Sequence, residues 1–504
     1  MSYQATRRGL LAAGAATLGA AALSGGAAAQ PKTGLPIADR LDGQVYIRNM
    51  ALHAHYFPGQ VCGSKLQMMA QGDRRYLFSS YRDAQNEWVG RCIDVTDPLN
   101  AVVVGDHLYE GYQVQVAYNR GIGKWVLMTS ATAAEPQIDL TRGKNLKAKG
   151  LRGIRLYDVT EPGKARLLSE WSTDRGDPRR EIQEGTGTHR NFYTGGRYAY
   201  LDTGADNTFS LYEYARATGV QVIDILDPAR PKFVSNIWVP GQRAGEEAEH
   251  RKWPFAGNGI SIPSLHGSYV VPENVEDGGK LGWGAWSVLG VRVHDLSKIA
   301  RPREIGVWTS PDPDGGGLKL HTVDVSRLDR GFVVASPETF ALQCGDAWYN
   351  SYVIDARDPA KLKTLSTLPI PTPPPGAPYE SFCQKRGRFG PHNAPHQKAP
   401  GTVSPSFTCY TFFNAGLQCY DLADPSNPRI TGYFIPPQGG ALDRPGSYIR
   451  DTDGVFVEWD RRLIWVSTST GVYLLTTPAL GEASFSPAGV RGWTLPALRH
   501  WPTA

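Results

Sequence analysis

Residues Gly219 to Pro240 read GVQVIDILDPARPKFVSNIWVP. Val220 and Val222 alternate with Gln221 behind a glycine, Asp224 to Pro228 has turn chemistry, and Lys232 to Val239 resumes a β-rich run. The pattern predicts a strand, a tight turn and a second strand. The same phrase recurs as GRCIDVTDP ending at Pro98, GIRLYDVTEP ending at Pro162, GVRVHDLSK ending at Lys298, YVIDARDP ending at Pro359 and GLQCYDLADP ending at Pro425. Aligning Asp94, Asp158, Asp224, Asp295, Asp355 and Asp421 gives spacings of 64, 66, 71, 60 and 66 residues, enough for one four-stranded sheet with generous loops. A sheet that small cannot bury both faces alone, so repeated sheets must stack, and radial closure stacks them without an open end.

The predicted architecture is therefore all-β: a seven-bladed β-propeller of four-stranded antiparallel blades spanning residues 61–480. A signal at 1–29 and an arm at 30–60 precede it, and a tail at 481–504 follows. The arm, with the strand-like GQVYIRNM at Gly43 to Met50, is placed to close the ring. The seventh blade is DGVFVEWDRRLIWVSTSTGVYLL, whose last strand ends in Leu474 and Leu475 instead of Asp, as a terminal repeat does. The proline-rich PIPTPPPGAP (369–378) reads as a stiff connection between blades. The repeated phrase resembles the LVIVD repeat of exported propeller proteins over roughly residues 60–475. That resemblance implies fold and not activity, because repeat propellers host binding scaffolds and enzymes alike.

The first residues place Arg7 and Arg8 before an alanine-rich run ending in small residues at Ala27 to Ala29, which resembles a twin-arginine export signal. Gly14, Thr17, Gly19, Ser24 and Gly25 break the run, so no membrane span is expected there. The expected location is periplasmic or secreted. Removing Arg7 and Arg8 leaves 51 basic against 48 acidic residues, or +3, too small an excess to suggest nucleic acid. A small-molecule substrate is the expected partner. Six cysteines in an exported chain permit three disulfides. Cys409 and Cys419 flank a hairpin loop and are expected to pair, and Cys344 to reach Cys383 across neighbouring blades, leaving Cys62 with Cys92; free core thiols are the alternative. No C-x-x-C is present.

His189, His266, His321 and His392 each stand where a blade's innermost strand begins. In a propeller those starts meet around one mouth of the central channel, so the four imidazoles are candidate ligands for a transition metal, iron or copper ahead of zinc. Carboxylates near them in sequence are Glu184, Glu273, Glu338 and Glu380, to hold the second imidazole nitrogen; Glu273, Glu338 and Glu380 are the candidate catalytic acids. Phe192, Tyr193, Trp283, Trp286 and Phe389 are expected to shape an apolar pocket. The arrangement is similar to the four-histidine iron centre of carotenoid-cleavage oxygenases and to the histidine-rich site of selenium-binding or methanethiol oxidase propellers, the latter through Gly390-Pro391-His392. Neither family's whole pattern is present, so no substrate is carried over.

The pairs His53 with His55 and His392 with His396 compete for the same role, and His294, inside a repeated strand, reads as packing. The repeated acids read as turn formers at the blade exteriors. There is no nucleophile elbow, phosphate-cradling loop, H-E-x-x-H or dinucleotide fingerprint. The expected function is an exported metal-dependent enzyme, an oxidoreductase acting on a small organic or aromatic substrate at the channel mouth. The alternatives are a metal-free binding or scaffold propeller, in which the histidines bond neighbouring backbone, and a lyase or hydrolase using the same metal.

Overall fold

The computed structural model describes residues 44–485 apart from 86, 132–150, 174–186, 204–218, 244, 256–260, 396 and 439–450. The export signal, Glu184, His396 and the basic insertion at 141–150 lie outside the described residues.

Two short strands come first, β1 (Tyr46–Arg48) and β2 (Ala51–Tyr56). Blade 1 is then a meander of β3 (Cys62–Gln71), β4 (Arg74–Arg82), β5 (Trp88–Asp94) and β6 (Val102–Glu110). Blade 2 repeats it with β7 (Val114–Asn119), β8 (Lys124–Ala131), β9 (Gly153–Asp158) and β10 (Arg166–Ser172). Blade 3 holds β11 (Tyr198–Thr203), β12 (Gly219–Asp224) and β13 (Lys232–Ile237), and blade 4 holds β14 (Leu281–Ala285), β15 (Val291–Asp295) and β16 (Arg303–Trp308). Blade 5 comprises β17 (Leu318–Asp324), β18 (Phe332–Glu338), β19 (Tyr352–Asp355) and β20 (Lys363–Thr367). Blade 6 has β21 (Phe407–Thr411), β22 (Leu417–Asp421) and β23 (Arg429–Ile435), and blade 7 has β24 (Thr452–Glu458), β25 (Leu463–Thr468) and β26 (Gly471–Thr476). All pairings are antiparallel, and the seven sheets form a seven-bladed β-propeller.

The quoted hairpin is the third and fourth strands of blade 3, β12 and β13. Its signature aspartate does the same thing in six blades: one carboxylate oxygen accepts from the backbone N–H two residues on. The acceptors are Asp94, Asp158, Asp224, Asp295, Asp355 and Asp421, at 2.8 to 3.1 Å. Each aspartate thus ends its strand and starts the turn, which is why the phrase survives as a unit. The arm does close the ring: β2 pairs with β26 and completes blade 7, while β1 adds a strand outside β23 of blade 6.

Apolar side chains fill the walls between blades. One core runs through blades 3 to 5 around Trp283, Trp286, Val293 and Val333, and another through blades 6, 7 and 1 around Leu77, Leu417 and Trp465. Phe192, Trp283 and Trp286 lie in the first core, Tyr193 in the wall between blades 2 and 3, and Phe389 in that between blades 5 and 6. These five rings, expected around a pocket, are consumed by blade packing instead: each is buried in a wall between sheets. His294 packs as expected, buried against Tyr269 and Trp286, and burial drives its imidazole down to about 3.

The cysteine expectation needs correction. Cys344 and Cys383 form a disulfide, but Cys62, Cys92, Cys409 and Cys419 are buried free thiols. Cys409 does stand opposite Cys419 in the β21–β22 register, yet facing positions on paired strands hold their Cβ atoms about 4.5–5.5 Å apart, wider than a disulfide favours. Cys62 and Cys92 sit on β3 and β5 with β4 between them, and they join different cores.

Candidate functional site

The innermost segments of blades 3, 4 and 6 are not regular strands. Blade 3 is tied to β11 through Phe192 and Tyr200, and blade 4 to β14 through Val270 and Trp283. In blade 6 the His392 N–H donates to the Thr411 carbonyl. Irregular backbone here costs sheet hydrogen bonds but lets histidine side chains turn toward the axis.

All four histidines meet in one arc. Ring centroids lie 4.6 Å apart for His189 and His266, 5.4 Å for His266 and His321, and 4.9 Å for His321 and His392. Two residues absent from the sequence expectations complete the circle. Tyr112 of blade 2 stacks 5.9 Å from His189, and its hydroxyl donates to Asp453 Oδ2 of blade 7 at 2.9 Å. Asp453 Oδ1 lies 2.9 Å from His392 Nδ1. Blade 1 contributes Gly63 to this level, where a Cβ would crowd the Tyr112 carbonyl at 3.3 Å. Tyr112 and Asp453 begin the innermost strands of blades 2 and 7, so the positional rule that picks out the histidines reaches both once it is not restricted to histidine.

Glu338, at the end of β18, reaches the arc. Its Oε1 accepts from Arg388 Nη1 at 2.9 Å. Its Oε2 makes no hydrogen bond and lies 3.4 Å from His321 Nε2 and 3.6 Å from His266 Nε2. His266, His321 and Glu338 present one donor atom each within 4.8 Å of one another. His189 and His392 fall outside that group. Glu273 and Glu380 are exposed and are not part of it: Glu273 lies on the loop after the innermost segment of blade 4, and Glu380 on the connection that precedes that of blade 6.

Hydrogen bonds assign the protons. Thr322 Oγ1 donates to the His392 carbonyl at 3.1 Å, so it accepts from His321 Nδ1–H at 2.7 Å, and the lone pair of His321 is on Nε2. Burial, and then the nearby Arg190, hold this imidazole well below the usual histidine range and hence neutral. Glu338 is the reverse: burial pushes its carboxyl up, but His392, His266, Arg388 and Arg190 together bring it down to about 2. A carboxylate lone pair and an imidazole lone pair therefore face each other, buried, across 3.4 Å. His392 is differently occupied. Arg190 Nη2 donates to its Nε2 at 2.8 Å, which puts the imidazole proton on Nδ1, beside Asp453.

Exposure gives the arc a direction. His189, His266 and Tyr112 are partly exposed, whereas His321, His392, Glu338 and Asp453 are buried, so among the described residues the less enclosed side is at blades 2 to 4. His53 and His55, in contrast, lie on the outer strand β2, where His53 meets Thr476 and His55 stacks on Tyr473.

No family model and no curated protein matches the chain. Solved structures similar to it include the WD40 β-propeller domain of Doa1, at 10% identity and TM-score 0.41, covering 86% of this chain and 97% of that one. The C-terminal WD40 domain of Sif2 is similar at 9% identity and TM-score 0.44, covering 86% and 99%. Among the described residues no helix is long and apolar enough to cross a membrane.

Proposed function

We propose that His266 Nε2, His321 Nε2 and Glu338 Oε2 bind one transition-metal ion, and that the protein is an exported oxidoreductase acting on a small organic molecule at this mouth. One observation carries the reading: two buried acceptors, a neutral imidazole nitrogen and a carboxylate oxygen, point at each other with no proton between them. Such a contact is repulsive in a low-dielectric interior and becomes attractive when a cation lies between the two. The spacing suits an ion. Donors about 2.1 Å from one centre, at angles between octahedral and tetrahedral, are about 3.0 to 3.4 Å apart. Here Glu338 Oε2 stands 3.4 and 3.6 Å from the two imidazole nitrogens and all three donors lie within 4.8 Å of one another, so binding would draw them slightly together.

Two histidines and one carboxylate with remaining positions open to the mouth form the donor set of non-haem iron oxygenases, so iron is favoured, with copper next and zinc behind. When bound, the ion would supply oxygen activation or polarisation of a substrate oxygen. The protein's own groups do the rest. Thr322 fixes the His321 tautomer, Arg388 holds one oxygen of Glu338, and the partly exposed His189 and His266 put the approach on the side of blades 2 to 4. Export through the signal at residues 1–29 belongs to the same proposal, and Arg7→Lys with Arg8→Lys should retain the protein in the cytoplasm.

Calorimetric titration of metal-free protein with iron(II), anaerobically, is expected to show one site. His321→Ala and His266→Ala should abolish it, while His392→Ala, a residue already engaged by Arg190 and Asp453, should leave it measurable. Equal loss in all three variants, or no binding by the folded wild type, would overturn this ligand set. A second reading, a metal-free binding propeller, is favoured by one feature: Arg388 and Arg190 already place two cations on Glu338 Oε1 and His392 Nε2. It requires folded protein that binds no iron, copper or zinc.

A further inference from the structure

We propose that Trp88, Tyr112 and His189 form a one-electron path between the protein surface and the donor group at His266; this rests on the ion proposed above being iron or copper. Four aromatic rings run in unbroken contact from the rim to the site. Trp88 and Tyr112 have centroids 4.5 Å apart, Tyr112 and His189 5.9 Å, and His189 and His266 4.6 Å. The last two contacts are stacked, at 21° and 28° between ring planes. Trp88 is partly exposed on β5, and the guanidinium of Arg82 sits 4.4 Å over its ring.

Packing alone does not explain this chain. The inter-blade cores of the propeller are built from buried aliphatic and aromatic side chains, whereas these rings are only partly buried and join none of those cores. Tryptophan and tyrosine are the side chains that lose one electron most readily, and tyrosine does so only when its phenolic proton has somewhere to go. Tyr112 has that acceptor: its hydroxyl donates to Asp453 Oδ2 at 2.9 Å. Arg82 puts a positive charge over the partly exposed indole at the outer end of the path.

The balance closes with a named acceptor. With a reduced ion bound, one electron would pass along His266, His189, Tyr112 and Trp88 to ferricyanide, which becomes ferrocyanide; the rings bridge the transfer without any of them being left oxidised, and the Tyr112 proton shifts toward Asp453 Oδ2 as the electron passes and returns after it. The protein ends unchanged, one electron has left the metal, and the reverse sequence serves an external donor.

Two readouts test the path. Stopped-flow oxidation of the reduced, metal-loaded protein by ferricyanide is expected to slow several-fold in Trp88→Phe and in Tyr112→Phe. Both variants keep an aromatic ring in place, so metal content should match wild type. Tyr81→Phe, which also removes a hydroxyl bonded to a carboxylate (Asp106, 2.6 Å) but lies off the chain of rings, should leave the rate unchanged. In metal-free protein oxidised by hexachloroiridate(IV), freeze-quench electron paramagnetic resonance should show a tyrosyl signal that Tyr112→Phe removes and Tyr81→Phe keeps. Full metal content with rates unaltered in both path variants would overturn the electron path while leaving the metal site standing. A protein that binds no metal and lacks a Tyr112-dependent radical would overturn both.

Discussion

Glu338 and Glu458 are both fully buried carboxylates touched by arginine, and their surroundings differ in one respect. At the junction of blades 7 and 1, Arg461 grips both oxygens of Glu458, with Nη2 on Oε2 at 2.9 Å, and Arg75 Nε stands 3.4 Å from Oε1. Arg461 also donates to the carbonyls of Val95 and Thr96, fastening blade 7 to blade 1. Every charge there has a counter-charge. At Glu338, Arg388 takes one oxygen and the other is left against two imidazole nitrogens. The first arrangement is complete as it stands and locks the ring; the second is complete only with a cation. Buried charge marks both places, and satisfaction distinguishes structure from function.

The same substitution should therefore act unequally at the two sites. Glu458→Gln leaves Arg75 and Arg461 buried without a carboxylate and should destabilise the protein by about 3–5 kcal/mol, read from urea midpoints. A cost under about 1 kcal/mol would erase the comparison.

The Glu338 side has its own brace. The Cys344–Cys383 disulfide joins the loop after Glu338 to the segment carrying Arg388. Replacing both cysteines by serine should cost about 2–4 kcal/mol and weaken iron binding as well. Stability loss with unchanged iron affinity would show that Arg388 is positioned without it.

A pH test sharpens the Glu458 side. Burial, and then the charge of Glu458, push the Asp460 carboxyl up to about 6 from its ordinary 3.8. The folded protein thus holds this proton more tightly than the unfolded chain does. Its contribution is fully present below about 4 and is lost as the pH rises through about 6, a fall of about 2–3 kcal/mol that Asp460→Asn should flatten. A stability curve between those pH values that is the same in wild type and variant would contradict the assignment.

Glu338→Gln is expected to have the smallest effect on metal-free stability, a loss of about 1–2 kcal/mol, because the carboxylate it removes is bonded by one arginine where Glu458 is gripped by one and flanked by a second. The amide oxygen can keep Arg388, and the amide N–H donates to His321 Nε2, supplying the proton that the contact lacks. A loss as large as that in Glu458→Gln would mean that the two glutamates are equivalent.

The propeller was legible because its signal is local. Each Asp accepts from a backbone N–H two residues away, so the third strand of six blades announces itself within ten residues. The histidine arc was legible by position, since radial closure brings equivalent points together. What stayed hidden was decided by reach and by partners distant in the chain. Tyr112 meets Asp453 across 341 residues, and Arg190 meets His392 across 202. Of three nearby glutamates only Glu338 turns inward, because it alone still lies on a strand that ends beside the axis. The Cys409–Cys419 register was readable and its bond was not, since a ladder pair fixes opposition without fixing sulfur distance.

The central claim, a single ion held by His266, His321 and Glu338, is tested most directly by a crystal structure of the iron-loaded protein with anomalous diffraction at the iron edge. One peak is expected about 2.0 to 2.2 Å from His266 Nε2, His321 Nε2 and Glu338 Oε2, with His392 still held by Arg190. A peak centred on other side chains, or His321 and Glu338 sharing a proton at full iron loading with no peak between them, would contradict it.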